Sequence, residues 1–162
     1  MNAPNPTAVV LAAAGTLLVA GYAAWAAFQI LVLSPSAAVP GMPIEAIHAE
    51  MTSAQQWNGP LNVYLTLGVG VLLAVGVFLV VVSTGMPPTA TVVAYLALLV
   101  LGAPGYFFAS FGVRMGVADT FATTGADHSP WAVPLHLVSL AALVALLAVG
   151  VSSLVRGRRQ PA

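Results

Sequence analysis

Glu45 and His48 stand three residues apart in PIEAIHAEMTSAQQ (43–56), and Asp127 and His128 adjoin in ADHSPW (126–131). A carboxylate and an imidazole at i, i+3 project from one face of a helix, where they can meet each other or one metal ion. A di-iron carboxylate bundle needs Glu-x-x-His twice plus two further inward glutamates. The chain contains only Glu45 and Glu50, which excludes that class. The donor set allows a mononuclear metal site built from His48, His128 and a carboxylate of Glu45 or Asp127, because imidazole and carboxylate suit zinc, copper or iron. Cysteine is absent, so thiolate catalysis, disulfides and iron–sulfur clusters are excluded. The run Asp127-His128-Ser129 does not amount to a hydrolase triad, since consecutive residues do not reach triad geometry and no nucleophile elbow is present. Its structural reading is a helix start: Ser129, or Asp127 in a longer variant, caps the helix, Pro130 takes the first turn and Trp131 anchors at the interface.

A second group of residues points to a polar pocket. The chain writes WNGPLNV from Trp57 and WAVPLHL from Trp131, and GYAAWAAF from Gly21 is echoed by GYFFASFG from Gly105. If the two halves are diverged copies, Asn62 and His136 occupy one slot and face each other across a pseudo-axis, with Tyr22 and Tyr106 beside them. That arrangement makes a small ligand pocket. His136 lies near the start of the hydrocarbon region, where ionisable groups tend to face a bundle interior or a cavity. Gln29 is placed to bond across helices, and Arg114 to snorkel or to pair with Asp119 or a loop glutamate.

The elements that must hold these residues are membrane helices. Of 162 residues, 60% are hydrophobic and 5% charged, with no lysine and a net charge of zero. This is far outside soluble composition, and it offers no nucleic-acid surface. Four uncharged stretches, 8–33, 61–83, 89–113 and 131–155, exceed the roughly 20 residues that cross the hydrocarbon core. The first lacks a positive n-region and is longer than a signal-peptide h-region, so it reads as a span. Arg156, Arg158 and Arg159 against a single Arg114 place both termini in the cytoplasm. Loops 34–60 and 114–130 are then extracytoplasmic, 84–88 is a tight cytoplasmic turn, and 156–162 is a cytoplasmic tail.

The predicted fold is an all-α integral membrane protein: a four-transmembrane-helix bundle in one domain, arranged as two parallel-repeat helical hairpins, 8–83 and 89–155. Small residues, among them Gly15 and Gly21 in the first helix and Gly68, Gly70 and Gly76 in the second, predict close backbone approach. Pro104 predicts a kink in the third helix and is the hinge candidate. Ile44, Ile47, Met51 and Ala54 recur at helical spacing, so the first outer loop carries a short amphipathic helix, on the membrane surface or over the bundle mouth. No acid or base stands mid-membrane, which argues against a proton pump, a voltage sensor or an ion-coupled carrier. The leading functional expectation is a non-enzymatic accessory, assembly or stabilising subunit of a larger membrane complex, its partners being the bilayer and other membrane subunits or a second copy. The alternatives are an extracytoplasmic metal, quinone or lipid site and a repeat-built transporter or channel for a small solute.

Overall fold

The computed structural model describes residues 5–158. Asn5 opens α1 (Pro6–Phe28), its side chain accepting from the Thr7 and Ala8 amides while Pro6 occupies the first turn. The helix does not stop at 33. It passes through one π turn (Gln29–Leu33) into α2 (Ser34–Ala38), making a single apolar span, Pro6–Ala38. Pro35 explains the widened turn: it has no N–H to donate, and its ring would press on the Leu31 carbonyl in a regular helix. A short amphipathic helix, α3 (Ile44–Ser53), precedes the second span, α4 (Leu61–Thr84). Gly85, at φ 69°, ends α4 in the left-handed conformation that glycine adopts without penalty. Pro87 and Pro88 then start the third span, so the connection is a tight turn.

The third span is interrupted near its middle, as Pro104 predicts. It consists of α5 (Pro88–Val100) and α6 (Gly102–Phe121), with the break at Leu101, whose ψ is −10°. Pro104 has no amide for the Val100 carbonyl, and the helix reorganises one turn before it. α6 runs on to Phe121 rather than ending near 113, and Ala122 closes it with φ 54°. A 3₁₀ turn (Pro130–Ala132) leads into the fourth span, α7 (Val133–Arg158). All four spans are long and apolar enough to cross a membrane, and the described residues contain no strand. Arg159, with the rest of 159–162 in the expected tail, lies outside the described residues.

The spans are locked by a reciprocal exchange of tyrosine and glycine. At Gly15 in the first span a Cβ would overlap the Tyr95 ring of the third, and at Gly102 in the third a Cβ would stand 2.8 Å from Cζ of Tyr22 in the first. Gly15 and Tyr22 are seven residues apart, as are Tyr95 and Gly102, so each helix presents one ring and one gap two turns away. The Tyr95 hydroxyl donates to the Ala74 carbonyl of α4 at 2.9 Å and lies 2.8 Å from Thr16 Oγ1. The Tyr22 hydroxyl lies 3.3 Å from Ser139 Oγ of α7, and Ser139 donates to the Leu99 carbonyl at 2.8 Å. Around Tyr95, the fully buried Ala8, Ala12, Ala74 and Val81 let α1, α4 and α5 approach.

Other small residues depart from the sequence expectation. A Cβ at Gly21, Gly68, Gly70 or Gly76 would meet nothing within 4 Å, so these glycines do not close an interface within the chain. The buried stripe of α4 is Val63, Leu67, Ala74 and Val81, and its glycines fall to the flanks.

At the end of the bundle that carries the two long loops, α3 caps the mouth. Its apolar face, Ile47 and Met51, is fully buried against Val117, with Ile44 and Phe121 packed around it. Ala54 ends the helix and stays exposed. The two hairpins differ in detail. Trp57 stacks on His48, while Trp131 meets the edge of Trp25; Tyr22 reaches Ser139 in the other hairpin, while Tyr106 binds Asp127 in its own.

The tyrosine–glycine lock makes a specific prediction. Gly15→Ala forces the Tyr95 ring to move and should lower stability by about 1–3 kcal/mol, the usual effect of overpacking. Gly76→Ala fills open space and removes the helical penalty of glycine, so it should be neutral or stabilising by up to about 1 kcal/mol. Unfolding titrations in mixed micelles separate the two; equal behaviour would show that the close approach at Gly15 carries no weight.

Candidate functional site

The 122–129 loop is held by groups from both the first and the third span. Tyr106, 1% exposed on α6, donates its hydroxyl proton to Asp127 Oδ1 at 2.7 Å. Arg114 lies two turns further along the same helix. Its guanidinium stands 3.6 Å from Asp127 Oδ2, and its Nε donates to the Gly125 carbonyl at 2.8 Å. From the first span, Gln29 in the π turn donates through Nε2 to the Ser129 carbonyl at 3.4 Å, and Ser34 Oγ accepts from the His128 amide at 3.4 Å.

The chemistry of this cluster follows from its partial burial. The Arg114 and Asp127 side chains are 20% and 21% exposed, so their attraction is screened less than that of a surface pair. The carboxylate also accepts a hydrogen bond from the Tyr106 hydroxyl, which spreads its charge over two partners. Gln29 is completely buried, and its Oε1 has no partner while its Nε2 is used. Ser129 caps the fourth helix by accepting from the Trp131 amide, which leaves Asp127 free for Tyr106 and Arg114.

The structure sorts the residues singled out in the sequence. His136 lies against Tyr106, ring centroids 5.6 Å apart and edge to face, and is exposed on the flank of α7. It lines an open cleft of about 500 Å³ with Asp127, His128, Ser129 and Leu137. Asn62 is elsewhere. It lines a cleft of about 220 Å³ between α4 and α6 together with Asn58, Thr66, Phe108 and Gly112. Tyr22 lines a third, apolar cavity, also bounded by Thr66. Thus Tyr106 and His136 come together, whereas Asn62 and Tyr22 do not join them, because Asn62 opens to the α4–α6 seam and Tyr22 is committed to Gly102 and Ser139.

The metal candidates are likewise dispersed. His48 stacks on Trp57, centroids 4.7 Å apart and planes 9° from parallel, with its Nε2 buried and unpartnered. Glu45 is exposed on the same helix. His128 Nε2 lies 3.4 Å from Thr124 Oγ1. Among the described residues no three His, Asp or Glu side chains converge so that they could hold a metal ion. Arg114 pairs with Asp127 rather than with Asp119 or a loop glutamate. That pair and the Trp57–His48 stack escaped sequence reasoning, since both join an element to a loop whose path is set only by the fold. Gln29 was visible, as an amide inside an apolar run.

Compared with models of known protein families, with curated proteins and with solved structures, the chain gives no match.

The cluster should behave as a stabilising latch. Tyr106→Phe removes one hydrogen bond to a charged group and should lower stability by about 1.5–3 kcal/mol. In the Asp127→Asn background the same change should cost less, and a double-mutant cycle in detergent measures the difference. Additive effects would show that the hydroxyl and the carboxylate act independently.

Proposed function

We propose that the protein is a non-enzymatic accessory subunit that assembles with, or stabilises, a larger membrane complex, and that the flank carrying His136 meets the partner. The exposure of His136 carries this reading. An ionisable ring in a spanning segment is expensive in lipid and is normally turned towards protein or water. Here Tyr106 of α6 covers one edge of the ring, and the open cleft beside it is lined by residues of 127–137 alone. A neighbouring subunit closes the open side.

The flanks of α4 support the same reading. Leu61, Leu65 and Leu72 are exposed on the side where Gly68 and Gly76 leave open space. A helical glycine costs up to about 1 kcal/mol relative to alanine. In lipid that cost is offset where a partner backbone comes close. The arginine distribution puts both termini in the cytoplasm, so the His136 cleft faces the outer leaflet of the cell membrane in this reading.

The test is gentle extraction of the tagged protein from its native membrane, with mass spectrometry of the co-purifying chains. A partner in fixed stoichiometry is expected. His136→Leu should weaken that association by about 3- to 20-fold, which corresponds to the roughly 0.6–1.7 kcal/mol that intramembrane hydrogen bonds contribute. A lone chain, or a partner retained undiminished by the leucine variant, would overturn the assignment.

A further inference from the structure

The cleft that holds Asn62 and the apolar cavity that holds Tyr22 share Thr66 and follow one seam between α4 and the third span. On α4 the seam passes Asn62, Thr66, Gly70 and Leu73, one helical turn at a time; on α6 it passes Gly112, Phe108 and Gly105. From Asn62 to Leu73 is about 16 Å at 1.5 Å per residue, close to half of a hydrocarbon core about 30 Å thick. The seam therefore spans one leaflet.

Its polarity changes along that length. The upper part, about 220 Å³, is walled by Gln56, Asn58 and Asn62 with the rings of Trp57 and Phe108. The lower part, about 210 Å³, is walled by Leu67, Val69, Leu73, Leu98 and Leu99. Each alone falls below the roughly 300 Å³ at which small-molecule sites begin, but together they offer a polar head chamber above an apolar slot. The three glycines keep it open, since a Cβ at Gly70, Gly105 or Gly112 would meet nothing within 4 Å.

The upper lining contains no charged side chain. Arg114, which follows Val113 of that lining, is turned to Gly125 and Asp127. Side-chain amides donate and accept at once, as hydroxyl groups do, whereas a phosphate asks for a cation or a cluster of donors alone. We propose that this seam binds one membrane lipid with an uncharged, hydroxyl-rich headgroup, a glycosyl diacylglycerol in chemical class, its head against Asn58 and Asn62 and an acyl chain beside Gly70 and Gly105. The seam lies about a third of a turn around α4 from Leu61, Leu65 and Leu72, so the lipid site and the subunit contact stand or fall separately.

The test is native mass spectrometry of the intact chain, released from a polyoxyethylene detergent so that no sugar detergent competes. Monoglucosyl diacylglycerol and phosphatidylglycerol with identical acyl chains are added in equal amounts. A one-to-one glycolipid adduct at least tenfold more abundant than the phospholipid adduct is expected. Gly112→Leu, which fills the head chamber, should abolish that preference, and Gly70→Leu, which fills the slot, should reduce retention of both lipids. Neither replacement meets protein atoms at its Cβ, and melting curves in the same detergent check the fold. Equal adducts of the two lipids in the unmodified chain, or a preference that survives Gly112→Leu, would overturn the proposal. Equal protection by free glucose would reassign the chamber to a soluble sugar.

Discussion

Everything else in this bundle is arranged around two tyrosine rings set into two glycine gaps. Lipid gives apolar surfaces no reason to separate from it, so helices associate in a membrane through close packing and hydrogen bonds. Tyr95 on Gly15 and Tyr22 on Gly102 supply both at once. Each ring crosses from one span to a parallel neighbour, and each hydroxyl then reaches a further helix: Tyr95 the carbonyl of Ala74 in α4, Tyr22 the hydroxyl of Ser139 in α7. Two side chains thereby connect all four spans. The alanines around them are small because the rings demand a fixed separation, and a larger residue at Ala12 or Ala74 would push the helices apart before the hydroxyls could bond.

The interruption at Leu101 belongs to the same arrangement. Gly102 must lie where Tyr22 passes, and Pro104 turns the third span at that level. Beyond the bend, α6 carries Tyr106 and Arg114 towards the loop end, where the first span presents Gln29 and Ser34. The π turn at Gln29–Leu33 serves both demands on that helix: it accommodates Pro35, and it sets the Gln29 amide under the Ser129 carbonyl. Thus the loop before α7 is tied down by groups whose positions depend on the lock below it.

Composition and spacing revealed most of this architecture. The four spans, the cap at Ser129, the kink ahead of Pro104 and the buried face of α3 are each local consequences of residue type, and each was readable. The longer first and third spans were not. The first continues because a π turn absorbs Pro35, and the third because helix α6 packs against α3 after leaving the apolar run. The partner of Arg114 was equally hidden, since Asp119 and Asp127 are close in sequence and only the path of residues 122–129 brings Asp127 back. The internal echo misled for a related reason. Trp57 and Trp131 stand at comparable helix starts, yet one is sandwiched by a capping helix that the second hairpin lacks, so Asn62 and His136 line different clefts.

The distribution of polar groups argues that the outward surfaces matter more than the interior. Inside the bundle, Thr16, Tyr22, Tyr95, Tyr106 and Ser139 are joined to carbonyls, hydroxyls or a carboxylate of the chain. Asn62 and His136, by contrast, are exposed on helices whose large exposed hydrophobic residues are mainly leucine and valine. A chain built only to reside in a bilayer gains nothing from an imidazole or an amide there, because apolar replacements would insert more readily. Their presence on two separate flanks, one closed on a single side and one tapering into an apolar slot, is what the proposed subunit contact on one face and the proposed lipid site on another would require.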